Sequence, residues 1–242
     1  MPTPPPPDPS GLAAHLAPTG VLRAVVNLGN PVLAQGTAAE PRGVTVALSG
    51  AVADWLGVPL ELLCVDAARD AYAAVTEGRA DLCFLAAEPA REEGVAFTAP
   101  YVLIEGVYVT DAGSPLGSSA DVDRDGVRIG VRTGSAYDLF LTRSLRRAEV
   151  VRADEATDVF EEQGLDAAAG VRQPMEEYVA AAGRRILEPA FMEIRQAVGV
   201  PRDTDPEAVA AVAALVEHLR ASGFVADELA RSGVSATLAP PA

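Results

Sequence analysis

Short apolar runs alternate with amphipathic segments in the first hundred residues of the chain. The apolar runs have the length of buried strands, and the first long segment between them carries Val44, Leu48, Val52 and Trp55 at helical spacing up to Gly57. The predicted elements are strand 21–28, helix 44–56, strand 60–65, helix 67–77 and strand 81–86. This alternation predicts a parallel sheet with right-handed crossovers.

A second α/β run follows a long apolar stretch at 102–110. That stretch, VLIEGVYVT, predicts a strand that crosses between two lobes, and 196–201 predicts a strand that returns to the first lobe. Asp205 and Pro206 then open a helix as its cap and first-turn proline. The predicted elements of the second run are strand 127–131, helix 135–145, strand 149–153, helix 155–163, strand 166–171 and helix 175–182.

The predicted fold class is α/β with two lobes, each a mostly parallel sheet flanked by helices, and a ligand cleft between them. The first lobe is expected to comprise residues 19–104 and 192–236, and the second residues 105–191. Residues 1–18 contain much of the proline and are expected to form a disordered or extended tail, and residues 237–242 a second tail.

Two of the predicted strands run into loops that can hold an anion. The strand LCFLA leads into AAEPAR, which puts Arg91 just past the carboxyl end of the strand. The strand VRIGV leads into RTGS and a helix whose first backbone N–H groups lie at Ser135 and Ala136. Such N–H groups favour a negative charge, and a guanidinium binds a carboxylate through two parallel bonds. Ligands of open α/β sheets lie beyond the carboxyl ends of strands, so we expect one cleft lined by loops 27–31, 86–91, 132–135 and 171–174.

The charge balance excludes several classes of function. The formal charge of −15 argues against nucleic acid and against an anionic membrane surface as partners. All 19 basic residues are arginine, which excludes Schiff-base chemistry and a phosphate-loop lysine. His15 and His218 are far apart, so neither a histidine triad nor a metal cluster is expected, and no cofactor is implied.

The N-terminus and the cysteines bear on the compartment. MPTPPPPDPSG lacks the basic start and apolar core of a secretory signal, and no run approaches the roughly 18 apolar residues of a membrane span. Cys64 and Cys83 fall on separate predicted strands, and two unpaired thiols suit a reducing compartment. We expect a cytoplasmic protein without membrane insertion, the alternative being periplasmic residence after removal of a signal.

Three segments together resemble a known family. EPAR at 88–91, FTAPY at 97–101 and IGVRTGS at 129–135 are similar to the T-x-x-R, F-[ST]-x-P-Y and V-G-V-x-x-G-[ST] elements of type II solute-binding proteins of ABC transporters, in the branch that binds polar amino acids. The resemblance covers roughly residues 20 to 235 in the same order and departs from the pattern at Glu88, where the family has Thr. It implies a type II periplasmic-binding-protein-like fold, a non-enzymatic role and a permease of an ABC transporter as a possible partner.

The resemblance also implies which residues hold the ligand. Arg91 matches the arginine that grips the α-carboxylate, and its alternative role is that of a solvated arginine paired with Glu92 or Glu93. Ser135, with the amides of Ser135 and Ala136, would hold the same carboxylate, and its alternative role is that of a helix cap. The family's sheet order (2-1-3) would place the first strand between the two cysteine strands, too far apart for a disulfide.

One departure changes the expected ligand. In amino-acid binders the strand that matches DAAAGV ends with an aspartate that pairs with the ligand's ammonium group, and here that position is Val171. An unpaired buried ammonium would cost about 2–5 kcal/mol. We therefore expect a small carboxylate-bearing ligand, amino-acid-like or an organic acid, that is not a standard free α-amino acid in the usual pose. Arg132 and Arg172 could receive a second acidic group, or form structural ion pairs.

Further residues are candidates for the cleft. Asn27 and Asn30 lie in the first loop, where an Asn-Pro turn is the alternative, and Ala86 ends the third strand. Tyr101 could pack the hinge or touch ligand, and Tyr137 could supply a wall. No catalytic residue is expected.

Two other functions remain open at this stage. One is an enzyme like the cyclohexadienyl dehydratases, which would need a carboxyl of raised pKa at Glu88, Glu105 or Glu188. The other is a cytoplasmic ligand sensor or carrier.

Overall fold

The chain passes twice between two compact units. The computed structural model describes residues 6–180, 183–234 and 236–241. Unit 1 contains the residues up to Leu103 and those from Arg195 onward, and unit 2 contains Ile104–Ile194. The boundaries thus fall at 103/104 and 194/195, where the sequence analysis set them at 104/105 and 191/192. Each unit is α/β, which confirms the predicted fold class.

Unit 1 is built on a sheet in which the order is β4-β1-β5-β10. Strand β1 pairs in parallel with β4 and with β5, and β10 pairs antiparallel with β5. The first strand therefore lies between the second and third, as predicted. The elements are α1 (Ala13–Leu16), β1 (Leu22–Asn27), β2 (Gln35–Gly36), β3 (Pro41–Arg42), α2 (Val44–Leu56), β4 (Leu60–Val65), α3 (Ala68–Thr76), β5 (Leu82–Ala86), the start of β6 (Val95–Asp111), the end of β10 (Arg184–Pro201), α7 (Pro206–Ala221), α8 (Phe224–Arg231) and β11 (Thr237–Leu238).

Unit 2 repeats this plan with the order β6-β9-β7-β8. Strand β7 pairs in parallel with β8 and β9, and β9 pairs antiparallel with β6. Besides the remaining parts of β6 and β10, its elements are a 3₁₀ turn (Ser119–Asp121), β7 (Arg128–Arg132), α4 (Ala136–Ser144), β8 (Glu149–Ala153), α5 (Ala156–Gln163), β9 (Ala167–Val171) and α6 (Arg172–Ala180).

Each unit buries one face of its sheet under a short helix. In unit 1, alternate residues of β5 point toward α3, and the apolar cluster there includes Val25, Ala71, Ala74, Val75, Cys83 and Leu85. In unit 2 the corresponding cluster lies under α5 and includes Val107, Val159, Phe160, Leu165, Ala168 and Met175. Burial of these side chains supplies the main driving force for folding in each unit.

An aspartate directly before a strand ties that strand to its parallel neighbour in both units. In unit 1 the Asp81 carboxylate accepts from the Arg23 backbone N–H at 3.0 Å and from its Nε at 2.9 Å. In unit 2 the Asp166 carboxylate accepts from the Arg128 backbone N–H at 2.8 Å. The pairs β1–β5 and β7–β9 therefore both begin with an aspartate that binds the backbone of the neighbouring strand.

Helix α6 begins earlier than the sequence predicts. The predicted helix ran over 175–182, whereas α6 begins at Arg172, directly after β9. Pro174 does not prevent this, because proline is tolerated in the first turn, where its missing N–H would have no partner in the helix. The loop expected at 171–174 is therefore mostly helix. The last two residues of the predicted helix lie outside the described residues.

The described parts of the two expected tails are packed. The Trp55 Nε1–H donates to the Pro7 carbonyl oxygen at 2.7 Å, and Leu16 is 2 % exposed. At the other end, β11 pairs antiparallel with β6, with Leu238 opposite Val102. Composition predicted tails at both ends of the chain. It does not show that distant residues such as Trp55 and Val102 contact these segments.

The C-terminal helices pack on unit 1 through apolar side chains. The buried ones include Val212, Leu215 and Val216 of α7 and Val225 of α8. Asp205 caps α7 by accepting from the Glu207 amide at 2.9 Å, as predicted. Among the described residues no single helix has the length and hydropathy of a membrane span, while α7 and α8 together, bent by 64°, meet that criterion by length and composition only.

Replacement of Leu16 by alanine should test the packing of the N-terminal segment. Because the side chain is buried, we expect Leu16→Ala to lower the free energy of unfolding by about 2 kcal/mol or more, measured by urea titration. His15→Ala is the matched control, since His15 is exposed on the same short helix and should change it by about 0.5 kcal/mol at most. Equal, small effects of both substitutions would show that this segment is not packed.

Candidate functional site

The predicted ligand-binding residues of unit 2 lie at one edge of its sheet. Strands β7 and β9 are parallel, with Gly130 opposite Ala168, and they end at Arg132 and Val171. Because the carboxyl ends of parallel strands share an edge, Arg132, Val171 and the loop to Ser135 come together there. Val171 is half-buried.

The loop between β7 and α4 is closed by its own hydrogen bonds. The Ser135 amide donates to the Arg132 carbonyl oxygen at 3.1 Å, and the Ser135 Oγ accepts from the Asp138 amide at 3.1 Å. Ser135 is therefore the N-cap of α4, which was its alternative role. The Ser135 amide was expected to face a ligand, but it is bound within the loop. The amides that have no acceptor in the helix are those of Ala136 and Tyr137, because the helix begins at Ala136.

Asp138 holds this loop, and the sequence analysis did not select it. Its buried carboxylate accepts from the Gly134 amide at 2.8 Å, from Arg152 Nε at 2.9 Å and from Thr142 Oγ1 at 3.2 Å. The spacing Ser-x-x-Asp at 135–138 is the sequence pattern of a capping box, and it was the available signal. Gly134 has a φ of 71°, a left-handed conformation that is unfavourable for residues other than glycine.

Arg132 and Tyr137 lie beside the same loop. Arg132 Nη2 is 3.2 Å from Glu155 Oε1, so this guanidinium forms the structural ion pair that was its alternative role. Tyr137 is buried, and burial raises the pKa of its hydroxyl to about 12, while a hydrogen bond with the Ser135 side chain opposes the rise. Its ring therefore forms part of the packed start of α4.

Arg172 is bound by carboxylates of unit 2. Its Nη1 and Nη2 donate to the two Glu188 carboxylate oxygens at 2.8 and 2.9 Å, and its Nε donates to Glu105. Arg172 therefore forms structural ion pairs, which was one of its two expected roles. The hydrogen bonds from Arg172 lower the pKa of Glu188, whereas a general acid needs a raised pKa.

The candidates in the first loop of unit 1 form a turn. The Asn27 Oδ1 accepts from the Gly29 amide at 3.0 Å, and the Asn30 carbonyl oxygen accepts from the Leu33 and Ala34 amides at 3.0 Å each. These bonds correspond to the turn that was the alternative role. The buried Asn30 Oδ1 has no hydrogen-bond partner within the described part of the chain.

Arg91 is buried at the carboxyl end of β5. It is 3 % exposed, and its Nη1 donates to the Ala86 carbonyl oxygen at 3.1 Å. The alternative of a solvated arginine is therefore wrong, whereas Glu92 and Glu93 of the same loop are exposed. Burial lowers the pKa of Arg91 to about 10, and the charge of Glu88 opposes this lowering.

Tyr101 packs inside unit 1. It is fully buried, its ring meets that of Phe84 edge-on at 6.4 Å, and its carbonyl oxygen accepts from the Ala239 amide at 3.2 Å. Burial raises the pKa of its hydroxyl, which has no hydrogen-bond partner among the described residues. These contacts match the packing role that was one of its two expected roles.

Solved structures show that this arrangement of elements is a known fold. A mutant of ArgBP from T. maritima has a TM-score of 0.74 at 18% identity, with 92% of this chain and 99% of that chain covered. AbpA from Streptococcus pneumoniae, bound to L-arginine, has a TM-score of 0.72 at 19% identity, with 90% and 96% covered. An ancestral amino acid-binding protein described as a precursor of cyclohexadienyl dehydratase has a TM-score of 0.71 at 19% identity, with 91% and 97% covered. At these identities the likeness shows the fold, which confirms the predicted type II periplasmic-binding-protein-like fold.

The family follows from the sequence itself. No curated protein sequence matches the chain. The profile of the bacterial extracellular solute-binding proteins, family 3, matches residues 23–231, which is most of the chain. This chain therefore belongs to family 3 of the bacterial extracellular solute-binding proteins.

Proposed function

We propose that this solute-binding protein recognises a small ligand through a carboxylate and does not transform it. The observation that carries the proposal is the buried Arg91 guanidinium at the carboxyl end of β5 in unit 1. A guanidinium offers five N–H donors in a planar fork, and that fork matches the geometry of a carboxylate. In unit 2 the first N–H groups of α4 are a second element that favours a negative charge.

The ligand is not a standard free α-amino acid in the usual pose. Val171, which takes the place of the aspartate that pairs with an ammonium group, is apolar and ends β9 at the edge of the unit 2 sheet. The next side chain, Arg172, carries a positive charge that its glutamate partners neutralise. Neither residue offers an ammonium group an acceptor, so a deaminated acid suits this edge better than its amino acid.

The similar proteins suggest which ligands to screen and which partner to expect. AbpA is bound to L-arginine, so arginine and its deaminated analogue belong in the screen. A transporter permease is the partner that membership of this family favours. An enzymatic role is not proposed, since Glu105 and Glu188 both bind Arg172.

A cytoplasmic location stays a prediction. It is supported by two free cysteines on strands that β1 separates. Since the family description speaks of extracellular proteins, the periplasm is the alternative location.

Substitution of Arg91 should remove most ligand binding. We expect Arg91→Ala to weaken binding of a matching 2-oxo acid by about 30-fold or more, because a desolvated carboxylate loses its main partner. Arg91→Lys should restore only part of the affinity, because lysine lacks the planar fork. Calorimetry measures both, with Arg79→Ala as the control at an exposed arginine of the same unit. Full affinity in Arg91→Ala protein that is folded by circular dichroism would refute the proposal.

Substitution of Val171 should change the preference between acids and amino acids. In the unmodified protein a 2-oxo acid should bind more tightly than its amino acid, for pairs such as pyruvate and alanine. Val171→Asp should reverse this order by supplying a partner for the ammonium group, while Val171→Asn provides a neutral control of similar size. Tighter binding of the amino acid by the unmodified protein would show that the ammonium finds another partner.

Loss of the Ser135 hydroxyl should destabilise unit 2 through the start of α4. We expect Ser135→Ala to lower the free energy of unfolding by about 1 kcal/mol, because the Asp138 amide loses its acceptor. Ser135→Asp should retain the cap and the stability, which urea titration would measure. Equal stability of Ser135→Ala and the unmodified protein would show that the cap contributes nothing.

A further inference from the structure

The loop between β5 and β6 buries two opposite charges close together. Glu88 is 6 % exposed and Arg91 is 3 % exposed, whereas Glu92 and Glu93 of the same loop are exposed. The amides of Arg91 and Glu92 both donate to the Glu88 carbonyl oxygen, at 2.8 and 3.2 Å. These bonds form a tight turn that brings residues 88 and 91 close together.

A buried guanidinium needs a counter-charge, because water cannot reach it to solvate the ion. Three acidic groups act on Arg91 and favour its charged form, in decreasing order Glu88, Cys83 and Tyr72. Burial keeps the Cys83 thiol protonated, with a pKa raised to about 12, and a tyrosine hydroxyl is ordinarily neutral near pH 7. Of these three groups only Glu88 has a carboxylate, so Glu88 is the group that provides the counter-charge.

We propose that Glu88 is an internal counter-ion of Arg91. To bind Arg91, a ligand carboxylate must displace the Glu88 carboxylate or overcome its repulsion. Glu88 then lowers the affinity of every carboxylate that binds at Arg91. This inference rests on the proposed function, since it takes Arg91 to be the arginine that receives the ligand.

The sequence departure at this position agrees with the electrostatics. The corresponding family element is T-x-x-R, and this chain has EPAR at 88–91. A threonine hydroxyl is neutral and can donate a hydrogen bond to a bound carboxylate, whereas a glutamate carboxylate can only accept and repels it. Two carboxylates competing for one guanidinium bind it less well than either alone.

Glu88→Gln tests this with acetate as the probe, since the natural ligand is unidentified. In ligand-free protein we expect the substitution to lower the unfolding temperature, because Arg91 loses its counter-charge. Acetate should raise that temperature more in Glu88→Gln than in the unmodified protein, whereas acetamide and sodium chloride at equal concentration should not. By calorimetry, pyruvate should bind Glu88→Gln about 10- to 100-fold more tightly than the unmodified protein.

Glu92→Gln is the matched control, because it removes an equal charge from an exposed position of the same loop. It should leave both the acetate response and pyruvate binding unchanged. In the double variant Glu88→Gln with Arg91→Ala, the acetate response should disappear. If Glu88→Gln folds poorly, Glu88→Thr provides the same test, with a side chain that suits this turn in the family.

The outcomes separate this inference from the proposed function. If Arg91→Ala abolishes pyruvate binding but Glu88→Gln and Glu88→Thr leave it unchanged, the proposed function stands and the counter-ion role is wrong. If Glu88→Gln weakens binding of alanine and leaves that of pyruvate unchanged, Glu88 is a partner for an ammonium group and the inference is also overturned. If Arg91→Ala has no effect on pyruvate, the proposed function itself fails.

Discussion

A carboxylate at the start of a strand sets the register of the parallel sheet in both units. Asp81 accepts from the Arg23 backbone N–H in unit 1, and Asp166 accepts from the Arg128 backbone N–H in unit 2. Since strands rise by a constant length per residue, a register fixed at the amino ends also fixes which residues are level at the carboxyl ends. Together with the parallel ladders, this contact helps to bring the strand ends at Arg132 and Val171 to one edge of the unit 2 sheet.

Position alone does not make a polar group available to a ligand. At the edge of the unit 2 sheet, the Ser135 amide and the Gly134 amide have acceptors within the loop, and Arg172 is held by glutamates. A buried donor without a partner costs free energy, so this loop satisfies most of its donors internally. The groups that stay available are those that geometry prevents from pairing, such as the first helical amides at Ala136.

The sequence predicted the elements whose signals are local. Helix 44–56 was predicted with the bounds that α2 has, because its apolar period ends at a glycine that adopts the left-handed conformation. The start of α6 was predicted three residues too late. The packing of the described parts of the tails was not predicted, since the donor for Pro7 is a distant tryptophan and the pairing of β11 depends on the edge of β6. The burial of Arg91 was likewise not predicted, because burial depends on how distant segments cover a loop.

The two departures from the family pattern change where negative charge lies. Val171 removes a carboxylate from the unit 2 edge, and Glu88 adds one beside Arg91 in unit 1. The Glu88 carboxylate is attracted to the buried Arg91 guanidinium. It therefore does not take over the role of the aspartate that is missing at position 171. The Glu88 carbonyl oxygen closes the turn by accepting from the Arg91 and Glu92 amides. If Glu88 is the counter-ion of Arg91, as proposed, the affinity for an acid depends on displacing the Glu88 carboxylate as much as on direct contacts with the acid.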